Sequence, residues 1–244
     1  MINIIAHRGA SSIAPENTMP AFQHAYELGV EGIETDVHLT KDSVPVLIHD
    51  ERVERTTNGF GYVKDFTFQQ LKQLDAGAWF SIAFSHTPII SLDEFLAWAQ
   101  FKPLHLHIEL KNNKINYKHL EEIVFEMVSY YRLQEQTTLS TFNCHSIKRL
   151  SMFKDDINIA LLTSKQRQNL CAYTYELGAR ALHIKYPLLQ QQLINQCQSK
   201  HIPIRVFTVN TLAHMLQCFR QKCDGIFTDF PKKAIQYRKD FYKI

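Results

Sequence analysis

From residue 105 onward the chain alternates short apolar runs with helical patterns, and that rhythm restricts the fold more than any other feature. Strands are predicted near His105–Leu110, Thr137–Thr141, Ile157–Leu162, Ala181–Ile184, Ile204–Thr208 and Gly225–Thr228. Helical periodicity falls between them, around Tyr117–Tyr131, His145–Phe153, Gln166–Leu177, Leu188–Ser199 and Leu212–Lys222. Strands separated by helices pair in parallel, because only a crossover of that length returns the chain in the same direction. Adding Ile2–Ala6 and Gly32–Val37 brings the strands to eight within 244 residues, the count of a closed (β/α)8 barrel. An open doubly wound sheet has the same rhythm and is the alternative. The 45% hydrophobic content suffices for a full core, so the expectation is one α/β domain over residues 1–244.

Residues 50–104 break the rhythm and read as an insertion between the second and third barrel strands, forming one wall of a cleft. They contain RTTNGFGYV, a helix start with a capping box at Thr67 and Gln70, LDAGAWF, and a second box at Ser91 and Glu94. Upstream, Pro15–Thr18 reads as a helix start with Asn17 or Thr18 as N-cap, and Gly29 as the stop.

The chemistry concentrates in EGIETDVHLTKDSVPVLIHD, residues 31–50. On its first arm Ile33, Thr35 and Val37 alternate with Glu34 and Asp36, so both carboxylates project from one strand face. Two such groups side by side repel and lose hydration, and a divalent cation neutralises them. Magnesium and calcium favour oxygen donors of this kind. The second arm, Pro45–His49, must return antiparallel. A two-residue turn at Asp42–Ser43 would set Val37 against Ile48 and Asp36 against His49; a bulge would slip that pairing by one.

Other polar residues stand at strand ends, where a barrel places its sites. His7–Arg8 closes the first strand, and Glu109 and Lys111, two apart, share a face at the end of the third. Glu109 could add an oxygen ligand, with Lys111 as a cation for an anionic substrate. Carboxylates, imidazoles, a guanidinium and an ammonium at one rim suit phosphoryl chemistry. His105 and His107 lie earlier on that strand and read as packing residues.

Several classes are disfavoured. The net charge is only +3, with no basic cluster of the kind that binds nucleic acid. No run approaches the ~20 apolar residues of a membrane span, and MINIIAHRGA reads as a strand rather than a signal sequence. The five cysteines are odd in number and lack zinc spacing, which points to reduced thiols in a cytoplasmic protein.

The same residues resemble the glycerophosphodiester phosphodiesterases. HRGA at 7–10, PENT at 15–18, ETDVHLTKDSVPVLIHD at 34–50, RTTNG at 55–59, LDAGAWF at 74–80, IELK at 108–111, FTVN at 207–210 and DGIFTDFP at 224–231 match in order along the chain. The resemblance implies a barrel hydrolase that cleaves glycerophosphodiesters to sn-glycerol 3-phosphate and an alcohol, in lipid and glycerol metabolism. It implies a divalent metal, Mg2+ or Ca2+, on Glu34, Asp36 and Glu109, with His7 and His49 as the acid/base pair. Arg8 and Lys111 would contact phosphate, Asn17 would shape the site, and Phe207 would form an apolar substrate wall. The implied partner is this small molecule, with no nucleic acid and no stable membrane anchor. Ser43 stands where the family usually has glycine, Phe207 where it often has tryptophan, and Ile90 where it has proline.

Blander readings stand beside these. An isolated Glu-x-Asp is more often a pair of surface ion-pair partners; here the apolar alternation and the downstream His49–Asp50 favour metal. Single histidines are commonly structural, whereas His7 and His49 both close strands. Trp79 and Phe80 read equally as cleft wall or as packing of the inserted segment. The functional alternatives are a lysophospholipase D or sphingomyelinase-D-like enzyme, and a non-catalytic barrel that binds glycerophosphodiesters.

Overall fold

The computed structural model describes residues 1–243. Its strands are β1 (Asn3–Ala6), β2 (Gly32–Leu39), β3 (Pro45–Leu47), β4 (His105–Leu110), β5 (Thr137–Thr141), β6 (Asn158–Thr163), β7 (Ala181–Lys185), β8 (Ile204–Phe207) and β9 (Gly225–Thr228). The α-helices are α1 (Met19–Glu27), α2 (Phe68–Leu71), α3 (Leu92–Ala99), α4 (Leu120–Tyr130), α5 (Cys144–Leu150), α6 (Leu170–Glu176), α7 (Gln191–Ser199), α8 (Leu212–Gln221) and α9 (Pro231–Tyr242).

All strands but β3 are parallel, and β1 pairs with both β9 and β2, which closes the sheet into a (β/α)8 barrel. The open-sheet alternative is therefore excluded. β1 is short and pairs with β2 only at Gly32 and Ile33, leaving the far half of that edge of β2 without a partner. The antiparallel arm β3 covers it at Val37–Leu39, which satisfies backbone groups that would otherwise form an open edge.

The pairing of this hairpin differs from the two-residue-turn expectation. Val37 faces Leu47 rather than Ile48, and the Ile48 amide donates to the Asp36 carbonyl, so His49 is not opposite Asp36. The cause is a three-residue loop in which Ser43 adopts φ +61°. The Thr40 hydroxyl accepts from the Val44 amide and donates to Asp42 at 2.6 Å, stabilising the extra residue. Serine tolerates this left-handed position at a cost of ~1 kcal/mol, where glycine would not incur it.

Thr18 is the N-cap residue of α1, with Pro20 in the first turn. Both expected capping boxes, Thr67–Gln70 and Ser91–Glu94, are formed. Three helices start later than their periodicity predicts: His119, at φ +61°, precedes α4. Asn169, at φ +53°, precedes α6, and a single 3-10 turn at Tyr186–Leu188 around Pro187 precedes α7. The terminal helix α9 lies beyond the last expected strand. Its buried residues are only Pro231, Ala234 and Arg238, so it carries little apolar periodicity. Arg238 anchors it by a two-pronged pair with Glu31 and a bond to the Ile2 carbonyl.

The main core lies between strands and surrounding helices, with Phe22, Phe95 and Phe219 among its largest fully buried side chains. A second apolar cluster of Val46, Ile48, Val53, Val63, Leu71, Ala76 and Ile89 packs the 50–104 segment onto β3. The cysteines are free thiols, all buried except Cys144. Among the described residues no helix is long and apolar enough to cross a membrane.

Candidate active site

The β2–β4 ladder brings the acidic residues together. Its register pairs Asp36 with Glu109 and Glu34 with His107, and partners across a parallel ladder point to the same side. One carboxylate oxygen from each of Glu34, Asp36 and Glu109 lies within 4.8 Å of the other two. Asp36 Oδ1 is buried with no hydrogen-bond partner, although Lys111 Nζ stands 3.4 Å away. An orphaned anionic oxygen facing two further carboxylates fits a hard divalent cation.

The electrostatics agree. Burial raises the Glu34 carboxyl to about 8, and the neighbouring Asp36 charge adds to the effect. Burial, with Asp36 beside it, also raises Glu109, even though Lys111 opposes this. Asp36 goes the other way: burial would raise it, but Lys111 and Arg8 hold it well below the usual carboxylate range. Without a cation the cluster keeps one carboxylate anionic and pushes the others toward protonation.

His7 and His49 both line the same cavity, along with Arg8, Glu34, Glu109 and Lys111. His7 Nδ1 lies 2.7 Å from Asp229 Oδ1, and its Nε2 is 4.0 Å from Glu34. Burial alone would lower the His7 pKa, but Glu34 and Asp229 outweigh it and the imidazole titrates above its ordinary value. His49 Nδ1 lies 2.5 Å from Asp50 Oδ1. Asp50 is depressed to about 2, burial being overcome by bonds from Arg55 and His49.

The loop after β1 is shaped by sterics. Gly9 has φ +82°, and a Cβ there would meet Ala21 at 2.7 Å, so only glycine lets the loop pass over α1. Within that loop the Arg8 amide donates to Glu34 at 2.9 Å, and the Arg8 side chain reaches Glu16 at 2.8 Å and Asp36 at 3.2 Å.

Asn17 is placed differently from a cavity-wall residue. It is buried behind Asp36, donates to Asp36 Oδ2 at 2.9 Å and accepts from Thr35 at 2.8 Å. Phe207 does line the cavity, edge-on to Phe142. Trp79 and Phe80 do not line it; Trp79 remains 42% exposed. His105 bonds Thr138, and His107 meets His183 and Phe227 edge-on inside the barrel, where burial keeps His105 and His107 neutral.

Four polar residues beyond the sequence candidates complete the rim. Asp229 holds His7 and is itself held by Asn210 at 2.5 Å; Asp50 holds His49. Arg55 spans Asp50 and Glu16, with bonds of 2.5 Å to the first and 2.8 Å to the second. The motifs around residues 55–59 and 224–231 contained Arg55 and Asp229, but neither carries a pattern that names its partner.

A barrel with three convergent carboxylates and two carboxylate-backed imidazoles at the carboxyl ends of its strands has the donor set that suits a phosphodiester-cleaving hydrolase. Comparison with known proteins makes that specific. Residues 7–233 match the model of the glycerophosphoryl diester phosphodiesterase family, and the chain belongs to that family. A glycerophosphodiester phosphodiesterase of Caldanaerobacter subterraneus is 36% identical, over 95% of this chain and 96% of its own. One of Bacillus altitudinis is 35% identical, over 98% and 99%. An Oleispira antarctica phosphodiesterase, solved in complex with its product sn-glycerol-3-phosphate, superposes with a TM-score of 0.87 at 27% identity, covering 97% of this chain and 96% of that one.

Proposed function

We propose that the chain acts as a metal-dependent glycerophosphodiester phosphodiesterase that releases sn-glycerol 3-phosphate and an alcohol, with His7 and His49 exchanging the protons. The observation that carries this reading is the cavity in which Glu34 and Glu109, clustered with the buried Asp36, meet both imidazoles.

Glu34, Asp36 and Glu109 would hold a Mg2+ or Ca2+ ion, which when bound supplies positive charge to the non-bridging phosphate oxygens. Asn17 and Lys111 orient the Asp36 carboxylate, the first by hydrogen bond and the second by charge. Arg8 and Lys111 present cations at the same wall for the phosphate. Asp229 and Asp50 each sit on an Nδ1, which favours the proton there and leaves each Nε2 for proton exchange. One imidazole takes the proton of the attacking oxygen; the other returns one to the departing alkoxide as the P–O bond breaks. Water and the substrate's own 2-hydroxyl are the two candidate nucleophiles, and an early cyclic phosphate marks the second. The free thiols suit the reducing cytoplasm.

The test is release of glycerol 3-phosphate from glycerophosphocholine after chelation and after return of Mg2+ or Ca2+. Activity that survives thorough chelation removes the metal from the mechanism. Lysophosphatidylcholine under the same metal tests the lysophospholipase D alternative, and absence of turnover on either substrate leaves the binding-barrel alternative.

A further inference from the structure

His38 follows Asp36 by two residues on β2 and so lies on the same strand face, but it is fully buried and does not line the cavity. Its ring has two polar partners: Nε2 is 3.1 Å from the His49 carbonyl, and Nδ1 is 3.0 Å from the Tyr117 hydroxyl. A carbonyl only accepts, so Nε2 carries the ring proton. Nδ1 is then the acceptor, and the Tyr117 hydroxyl donates to it. The phenol thereby locks the tautomer that the carbonyl needs.

The first partner gains its importance from where β3 stops. The ladder with β2 ends at Leu47, so it does not reach the His49 carbonyl. The Ile48 amide donates to the Asp36 carbonyl at 3.1 Å, and the His49 carbonyl accepts from His38. The chain is thus tied to β2 just before and just after the His49 side chain.

The second partner belongs to the other limb of the site. Tyr117 lies in the segment that leaves β4, and its amide donates to Asn112 Oδ1 at 2.6 Å. Asn112 is buried and donates in turn to Glu121 at 2.9 Å. The residue before it, Lys111, donates its amide to the carbonyl of Val37 at 3.1 Å. Val37 immediately precedes His38, so the path from His38 through Tyr117, Asn112 and Lys111 returns to its start. This closed circuit holds the arm that carries His49 and the strand end that carries Glu109 and Lys111 in one frame. A buried ring nitrogen deprived of its partner loses more than the bond itself contributes, which makes the circuit stiff.

We propose that His38 is a positioning residue for His49: held as the Nε2–H tautomer by Tyr117, it fixes the His49 backbone, and with it the imidazole, against the Glu109–Lys111 end of β4. The inference rests on the proposed role of His49 in proton exchange. His38 itself touches no reacting atom.

The test measures turnover of glycerophosphocholine by the metal-loaded protein in His38→Leu, His38→Gln and Tyr117→Phe, each also combined with His49→Ala. His38→Leu should lower kcat about 10- to 100-fold, while KM and calorimetric divalent-ion affinity stay within about twofold. His38→Gln keeps an N–H for the His49 carbonyl and should recover most of that loss. Tyr117→Phe removes only the tautomer lock and should cost about threefold. In the His49→Ala background none of the three should cost anything further, because a group that acts through His49 has nothing left to position. Equal losses with and without His49, an unchanged kcat in His38→Leu, or a His38→Gln variant as impaired as His38→Leu overturns the proposal. If His38→Leu does not fold, Tyr117→Phe decides, and an equal loss in both backgrounds or no loss in either overturns it. Unchanged turnover in His49→Ala alone overturns the role of His49 instead.

Discussion

His7 and Asp229 stand 222 positions apart in the chain, yet the Nδ1 of one lies 2.7 Å from a carboxylate oxygen of the other. The contact exists because β1 and β9 are neighbours in the closed barrel, with Ala6 paired to Thr228 one residue before each. Barrel closure therefore supplies the first imidazole with its carboxylate.

Asp229→Asn removes the anion that helps to raise His7. The His7 limb of the kcat/KM–pH profile should move to lower pH, with kcat falling by about 10- to 100-fold. An unmoved profile would detach Asp229 from proton transfer.

Glu109→Gln deletes an anionic oxygen from the carboxylate cluster while preserving its shape. Divalent-ion affinity measured by calorimetry should fall at least about tenfold, following the second-shell and ligand losses seen generally at such sites. His49→Ala, in contrast, should largely spare ion binding and lower kcat by about 100-fold or more.

Glu34 carries a pH signature of the metal-free protein. Its folded pKa of about 8 exceeds the ordinary 4.5, so the folded state holds the extra proton between those values. The stability this contributes is complete below pH 4.5 and is lost as pH rises through 8. Thermal unfolding of chelated protein should therefore show a Glu34 contribution that declines from pH 5 to 8 and disappears in Glu34→Gln. Added Mg2+ or Ca2+ should restore stability most strongly at the alkaline end.

Arg55 comes from the segment outside the barrel rhythm, yet it joins Asp50 to Glu16 and so connects the supports of His49 and Arg8. Its side chain is 44% exposed, so Arg55→Ala should change stability by no more than ~1 kcal/mol. Turnover should nevertheless drop by about three- to tenfold, because two site residues lose an orienting contact. A large stability loss with unchanged turnover of the folded fraction would make Arg55 structural only.

Local pattern and tertiary geometry contributed differently. The eight-strand rhythm, the period-two placement of Glu34 with Asp36, and both capping boxes depend on contacts within a few residues, so the sequence alone determined them. The convergence of Glu109 on Asp36 required the β2–β4 register, and that depends on how the sheet closes. The hairpin slipped because Ser43 entered a left-handed conformation that serine adopts only with help from Thr40 and Asp42. α9 escaped notice because a helix held by one arginine has little apolar stripe to detect. The partners Asp229, Asn210 and Arg55 were equally hidden. A carboxylate looks the same in sequence whether it faces water or an imidazole, and only the closed barrel fixes which.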